Sequence, residues 1–203
     1  MRARPAWRGR GVVAAGAAAV IAGAVAFAVV ASRPSRHAAA AHASLVGHAA
    51  PPFRRPVASL RGGAFSLRGG RGHPILLSFL DTQASASRSN DPSRAQVVFL
   101  KSMSTQHRAY GLQTVIVDAG AARSRPPSRS ALVNFTFDWA LGPSIAVVGD
   151  PRGSIARAYG VAGPPSTFLI DKRGIVRARW DGLAAPAQLD FAIRPLVGRP
   201  AVP

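Results

Sequence analysis

The polar residues best placed for chemistry follow a single apolar run. Ile75-Leu-Leu-Ser-Phe-Leu80 is short enough for a buried strand. It leads into Asp81-Thr-Gln-Ala-Ser-Ala-Ser-Arg-Ser-Asn-Asp-Pro92, and then into Ala95 to Met103, whose apolar spacing predicts a helix. A strand that turns abruptly into a helix is a good place for a site, because the helix N-terminus offers free N–H groups and positive potential. The turn supplies Thr82, Gln83, Ser85, Ser87 and Arg88. None of these is a strong nucleophile. A serine hydroxyl ionises negligibly at neutral pH unless a base assists it, and no base stands beside Ser87. His107 lies about 20 residues further along the same helix, roughly 30 Å away at 1.5 Å per residue, so a Ser–His pair fails. Asp81 reads as a strand-end carboxylate that caps the turn.

The chain contains no cysteine. Disulfides, thiolate metal sites and thiol catalysis are therefore excluded. Lys+Arg number 26 against 8 Asp+Glu, with no Glu and just two lysines, Lys101 and Lys172. The arginines are scattered rather than striped along one helix face, the pattern of a GC-rich coding bias, and no specific nucleic-acid partner is expected. The balance still favours acidic partners non-specifically. His37, His42 and His48 have the spacing of no closed metal site, and the residues call for no cofactor.

Residues 1–10 form a basic segment with Arg2, Arg4, Arg8 and Arg10. Gly11 to Ala31 is then free of charge, long enough as a helix to cross roughly 30 Å of hydrocarbon. With four arginines before it, and Arg33 and Arg36 close behind, residues 11–31 are expected to form a signal anchor in the cell membrane. The C-terminal domain would then lie outside the cytoplasm. Secretion after cleavage within Ala38 to Ala43 is the alternative. Residues 32–56, rich in Ala, Pro and His, read as a flexible tether.

Residues 57–199 alternate short strands and helices, and 200–203 are a tail. Strands are predicted at Ala64–Leu67, Ile75–Leu80, Gln113–Asp118, Ser144–Gly149, Thr167–Ile170 and Ile175–Trp180. The last two are joined by the turn Asp171-Lys-Arg-Gly174. Helices are predicted from Ser93 to Tyr110, closed by Gly111, then from a cap at Ser130, over Gly153–Tyr159 and over Pro186–Val197. Leu132, Phe135 and Trp139 share one face of the second. Trp139, Trp180 and Phe137 are assigned to core or rim packing. This order implies an α/β sandwich with a mixed central sheet.

Two blocks then carry a likeness. Phe79-Leu-Asp-Thr-Gln-Ala-Ser-Ala-Ser-Arg-Ser-Asn-Asp-Pro92 and Tyr159-Gly-Val-Ala-Gly-Pro-Pro-Ser-Thr-Phe-Leu-Ile-Asp-Lys-Arg-Gly174 resemble the thioredoxin-like (redoxin) superfamily. The likeness is to its membrane-anchored extracytoplasmic thiol–disulfide oxidoreductases. The resemblance implies a thioredoxin-like three-layer sandwich. It sets Ala84 and Ser87 on the two positions of the Cys-x-x-Cys pair, Arg88 on the basic position after it, Asn90 on the family's Glu and Pro92 on its kink proline. Pro165 falls on the cis-proline that faces the turn. Ala50-Pro-Pro-Phe53, with Leu67 and Gly72, is a third and weaker match.

In that family the first cysteine attacks as a thiolate and the second resolves the mixed disulfide. Ala84 has no nucleophile. The expected role is therefore a redox-inactive module that holds a protein or extended peptide in a groove beside Pro165. Its lining would be Thr82, Gln83, Ser85, Arg88, Pro165 and Ser166. Two alternatives stand beside it: a redoxin-family oxidoreductase working through a partner's thiols, and a basic module binding envelope polyanions.

Overall fold

The computed structural model describes residues 45–53, 57–59, 63–83, 90–120 and 128–198. The charge-free segment 11–31 lies outside them, and among the described residues no helix is long and apolar enough to cross a membrane. Among the described residues seven strands form one sheet: β1 (Val57–Ser59), β2 (Gly63–Phe65), β3 (Ile75–Leu80), β4 (Gln113–Asp118), β5 (Ile145–Gly149), β6 (Ser166–Ile170) and β7 (Val176–Asp181). Their spatial order is β2-β1-β5-β4-β3-β6-β7. β3, β4 and β5 run parallel, whereas β6 is antiparallel to both β3 and β7. The expected mixed sheet is present, and β1 with β2 adds a hairpin at one edge through Ser59 and Val148.

The central strands are buried on both faces, as the apolar run in β3 requires. Leu76 and Leu80 enter one cluster with Val97, Leu100 and Met103 of α1 (Pro92–His107), Leu132 and Phe135 of α2 (Arg129–Asp138), and Leu189 and Ile193 of α4 (Pro186–Ile193). Ile75, Leu77 and Phe79 face the other way. They pack on Phe53, on Ile155 and Ala156 of α3 (Ser154–Ala158), and on Tyr159 and Phe168. Period-two alternation along β3 thus separates two cores and yields three layers.

Four predicted details shift. α1 begins at Pro92 rather than Ser93, since Pro suits a first-turn position and the extended Asp91 caps it by accepting from Ser93 N at 2.8 Å. After His107 one tight turn (108–110) ends at Gly111, whose φ of 91° is the left-handed conformation that glycine takes cheaply. α2 is capped by Ser128, not Ser130: the Ser128 hydroxyl accepts from Ala131 N at 3.1 Å. Phe137 is 84% exposed, outside the core and the rim to which its spacing assigned it, because on α2 it faces away from the buried Leu132 and Phe135.

Residues 45–50, placed by composition in the tether, are joined to the sheet. Gly47 N donates to Val176 O at 2.8 Å, Ala50 N donates to Gly174 O at 2.9 Å, and Ala49 bridges Ile175. The Asp171–Gly174 turn is structural, as expected. The Asp171 carboxylate accepts from Arg173 N and Ile175 N, both at 2.9 Å, and Gly174 takes φ of 84°.

Leu100 is fully buried between α1 and the sheet. Leu100→Ala is expected to lower stability by about 2–5 kcal/mol, through lost apolar burial and a residual cavity. A urea midpoint that falls without a change of slope is the measurement.

Candidate functional site

The site is built where β3 and β4 end side by side. Leu80 pairs with Asp118, and Ala119 N donates to Leu80 O at 2.7 Å, so the chain leaves β3 directly over the Asp118 carboxylate. Thr82 is 2% exposed, and its N–H and hydroxyl both donate to Asp118 Oδ1, at 3.1 and 2.5 Å. Gly120 N donates to Oδ2 at 3.0 Å. Asp81 accepts from Gln83 N at 3.2 Å, the capping role its position predicted, while its own N–H donates to Ser93 Oγ at 3.3 Å. Burial pushes the Asp118 carboxyl above the ordinary carboxylate range. The three donors oppose that shift and nearby Asp81 adds to it.

The second wall is the loop before β6. The Pro164–Pro165 peptide bond is cis, as the likeness to the family implied. Register sets this loop against the turn, since Phe79 pairs with Ser166, and Ser166 with Asp181. Pro165 is buried. Ser166 is 1% exposed, and its hydroxyl is turned inward, donating to Gly163 O at 2.9 Å and Asp181 Oδ1 at 3.2 Å. Gly182 N donates to Pro165 O at 2.8 Å.

Arg179 ties these parts together. Its guanidinium donates to Tyr159 O at 3.0 Å, to Gly160 O at 2.9 Å and, through Nε and Nη2, to the Asp181 carboxylate. It also lies over the Phe168 ring, 4.8 Å from the centroid. A planar fork can satisfy two carbonyls and a carboxylate at once, which a lysine could not. Tyr159 is fully buried between Phe79 and Phe168, and burial pushes its phenol above the usual range.

The structure therefore brings Thr82, Gln83, Pro165 and Ser166 to one end of the sheet. Ala84, Ser85, Ser87 and Arg88 lie outside the described residues. His107 takes no part: its Nε2 meets Asp190 Oδ1 at 2.8 Å, between α1 and α4. Trp139 packs partly against the first core with Arg94 above it, and Trp180 packs on the same cluster. Asp118 and Arg179 were missed from sequence. Both act on groups distant in the chain, and the one available signal was an Asp at the end of a strand parallel to the one that starts the turn.

A model of the AhpC/TSA family matches residues 46–179. The chain belongs to the AhpC/TSA family. Within this family setting, the thiol:disulfide interchange protein DsbE of Xylella fastidiosa is 42% identical over 55 residues, 27% of this chain and 28% of that protein. The chain thus spans little more than a quarter of the length of that relative. The thiol-disulfide oxidoreductase ResA of Bacillus cereus is 26% identical over 145 residues, 71% of this chain and 75% of the relative. Among solved structures, a candidate DsbE of Chlorobium tepidum superposes with a TM-score of 0.60 at 26% identity, covering 74% of this chain and 96% of the other. A secreted thiol-disulfide isomerase of Corynebacterium glutamicum shares the fold, at TM-score 0.58 and 18% identity over 72% of this chain and 83% of that one. This AhpC/TSA chain keeps the thioredoxin-like architecture of these proteins without a single cysteine.

Asp118→Ala removes the acceptor of three buried donors and is expected to cost about 1–3 kcal/mol. A folded carboxyl raised above its unfolded value of about 3.9 stabilises fully below that value, and the benefit is lost as pH rises through the folded pKa. Wild type should therefore gain stability relative to Asp118→Ala as pH falls from 8 toward about 4, read as diverging urea midpoints.

Proposed function

We propose that this AhpC/TSA chain is a membrane-anchored extracytoplasmic binding module. It performs no thiol chemistry of its own and holds an extended peptide or protein partner beside Pro165. The observation that carries this reading is the pairing of a braced frame, among the described residues, with a missing reagent. Thr82 is clamped by Asp118, and the cis-Pro165 loop is braced by Ser166, Asp181 and Arg179, in a sequence with no sulfur nucleophile. Thiolate attack and resolution by a second thiol are closed to such a chain. The relatives named for thiol–disulfide exchange support a substrate-facing role for this end of the fold. The basic residues flanking 11–31 support the anchor and its orientation.

The loop also sets what kind of pairing is available. Pro164 has no N–H, and the Pro165 carbonyl is occupied by Gly182 N. A peptide strand lying along the loop can donate an N–H to the Pro164 carbonyl but receives no bond back from that residue. One-sided pairing of this kind gives weak, sequence-tolerant binding, since a single net main-chain hydrogen bond contributes about 1 kcal/mol.

The full-length chain is expected to leave insulin reduction by dithiothreitol at the buffer rate, whereas Ala84→Cys with Ser87→Cys should form a reversible disulfide. That pair needs Cα atoms about 4.4–6.8 Å apart. Catalysis by the wild type above buffer would overturn the non-redox reading. A double variant that stays reduced under oxidising conditions would show that Ala84 and Ser87 do not occupy the paired positions.

A further inference from the structure

The acids and bases of the domain are distributed differently. All eight acidic residues are aspartates, and five of them gather at the site end of the sheet. Asp81, Asp118 and Asp150 follow or finish β3, β4 and β5, Asp181 finishes β7, and Asp91 caps α1. The opposite end is made by the turn 66–73 and the Asp171–Gly174 turn, zipped together by Gly72 N to Lys172 O at 3.0 Å. Arg68, Arg71, Lys172, Arg173 and Arg177 are all exposed there. The one carboxylate among them, Asp171, is already engaged by Arg177 Nε at 2.6 Å and by two backbone N–H groups. A cleft of about 510 Å³ opens on this end, with Lys172, Arg173 and Arg177 on its rim and Tyr110 and Leu196 within.

The chain enters the domain at the same place. Residues 45–50, within the stretch read by composition as tether, are bonded to Val176 and Gly174, beside the basic turn. From the end of the apolar segment at Ala31, the 13 residues 32–44 can reach at most about 45 Å. That reach lets a bilayer holding residues 11–31 meet this face, which lies beside the point where the chain enters the domain. Arginine and lysine near an anionic bilayer surface are attracted to it over roughly a Debye length.

We propose that the face formed by Arg68, Arg71, Lys172, Arg173 and Arg177 docks on the anionic headgroups of the membrane. The inference rests on the membrane-anchored reading above and goes beyond it. It assigns a lipid-binding surface to the domain and leaves the cis-Pro165 end turned away from the bilayer, open to a partner. None of the five residues touches the cis-Pro165 loop, so loss of peptide binding would leave this surface unaffected.

The absence of cysteine makes the test clean, because one introduced thiol carries the whole label. Full-length His73→Cys and, as a control at the site end, Asn90→Cys are each labelled with a fluorophore. They are reconstituted in phosphatidylcholine vesicles with or without phosphatidylglycerol, and quenching by a nitroxide-headgroup lipid is measured. The label at 73 should be quenched at least threefold more strongly with phosphatidylglycerol present. The effect should vanish near 1 M salt, where the Debye length is about 3 Å, and the label at 90 should not respond. Each lost cation weakens such docking about fivefold. Adding Arg71→Gln, Lys172→Gln and Arg173→Gln should therefore lower the docked-to-free ratio on the order of a hundredfold. Arg129→Gln, Arg152→Gln and Arg157→Gln, of equal net charge elsewhere, should leave it within a few-fold.

Equal quenching at 73 and 90, equal loss in the two triple variants, or indifference to phosphatidylglycerol would each overturn the proposal. Face-dependent binding of soluble polyphosphate without lipid dependence would do the same, and would assign the face to a soluble polyanion. If the chain fails to float with phosphatidylcholine vesicles, the anchor reading falls. Docking is then scored by flotation with phosphatidylglycerol vesicles alone, where face-dependent binding supports it and its absence overturns it.

Discussion

A carboxylate shut away from water at the end of β4 is tolerable only if nearby groups donate to it. Asp118 obtains its donors from Thr82 N, Thr82 Oγ1 and Gly120 N. Two of the three belong to the second residue after β3, so the need to satisfy Asp118 dictates the direction in which the chain leaves that strand. The constraint operates upstream of residues 84 and 87. The exit from β3 is thus directed by backbone and hydroxyl donors to a carboxylate, in a chain with no cysteine.

The loop at Pro165 is held by an equally local logic. β3, β6 and β7 run in register through Phe79, Ser166 and Asp181, which fixes the loop's height against the turn. Arg179 then fixes the chain ahead of it, at the Tyr159 and Gly160 carbonyls, and leans on Asp181 and the Phe168 ring. Its side chain is 4% exposed, so each donor needs a partner, and each partner lies on the frame of the loop. Bracing of this kind would serve the binding role proposed above. A ligand held by weak main-chain contacts gains from a surface that does not have to be ordered on binding.

What could be read from sequence divides along the same line. β3, the 159–174 block and the Asp171 turn were legible because their information is contiguous: an apolar run, a string of matching residues, an Asp followed by Gly in a hairpin. The Asp118–Thr82 clamp was not, since its partners are 36 residues apart and meet through strand register. Arg179 was hidden among many scattered arginines and is distinguished by the carbonyls it meets. Ser128 and Ser130 are chemically identical candidates two residues apart, and the phase of α2 chooses between them. β2 was legible as a short strand, predicted at 64–67 and found at Gly63–Phe65, whereas β1, at three residues, is too short to show any alternation. The membrane segment was read from charge and length alone and lies outside the described residues.

The scatter of arginines along the chain argued for coding bias and against a dedicated surface, yet the folded domain is electrostatically lopsided. The polarity comes from the acids. With no Glu to place on helix faces, the chain uses aspartate where a short carboxylate best accepts backbone N–H groups, at strand ends and helix starts. Asp150 is the fullest case, accepting from the backbone of Ser154, Ile155 and Ala156. In a sheet whose three central strands run parallel, those positions cluster at one end. The bases described at the other end, Arg68, Arg71, Lys172, Arg173 and Arg177, then have Asp171 as their one nearby carboxylate. A cationic face arises in this way from turn chemistry and strand direction, without any run of basic residues for a sequence to display.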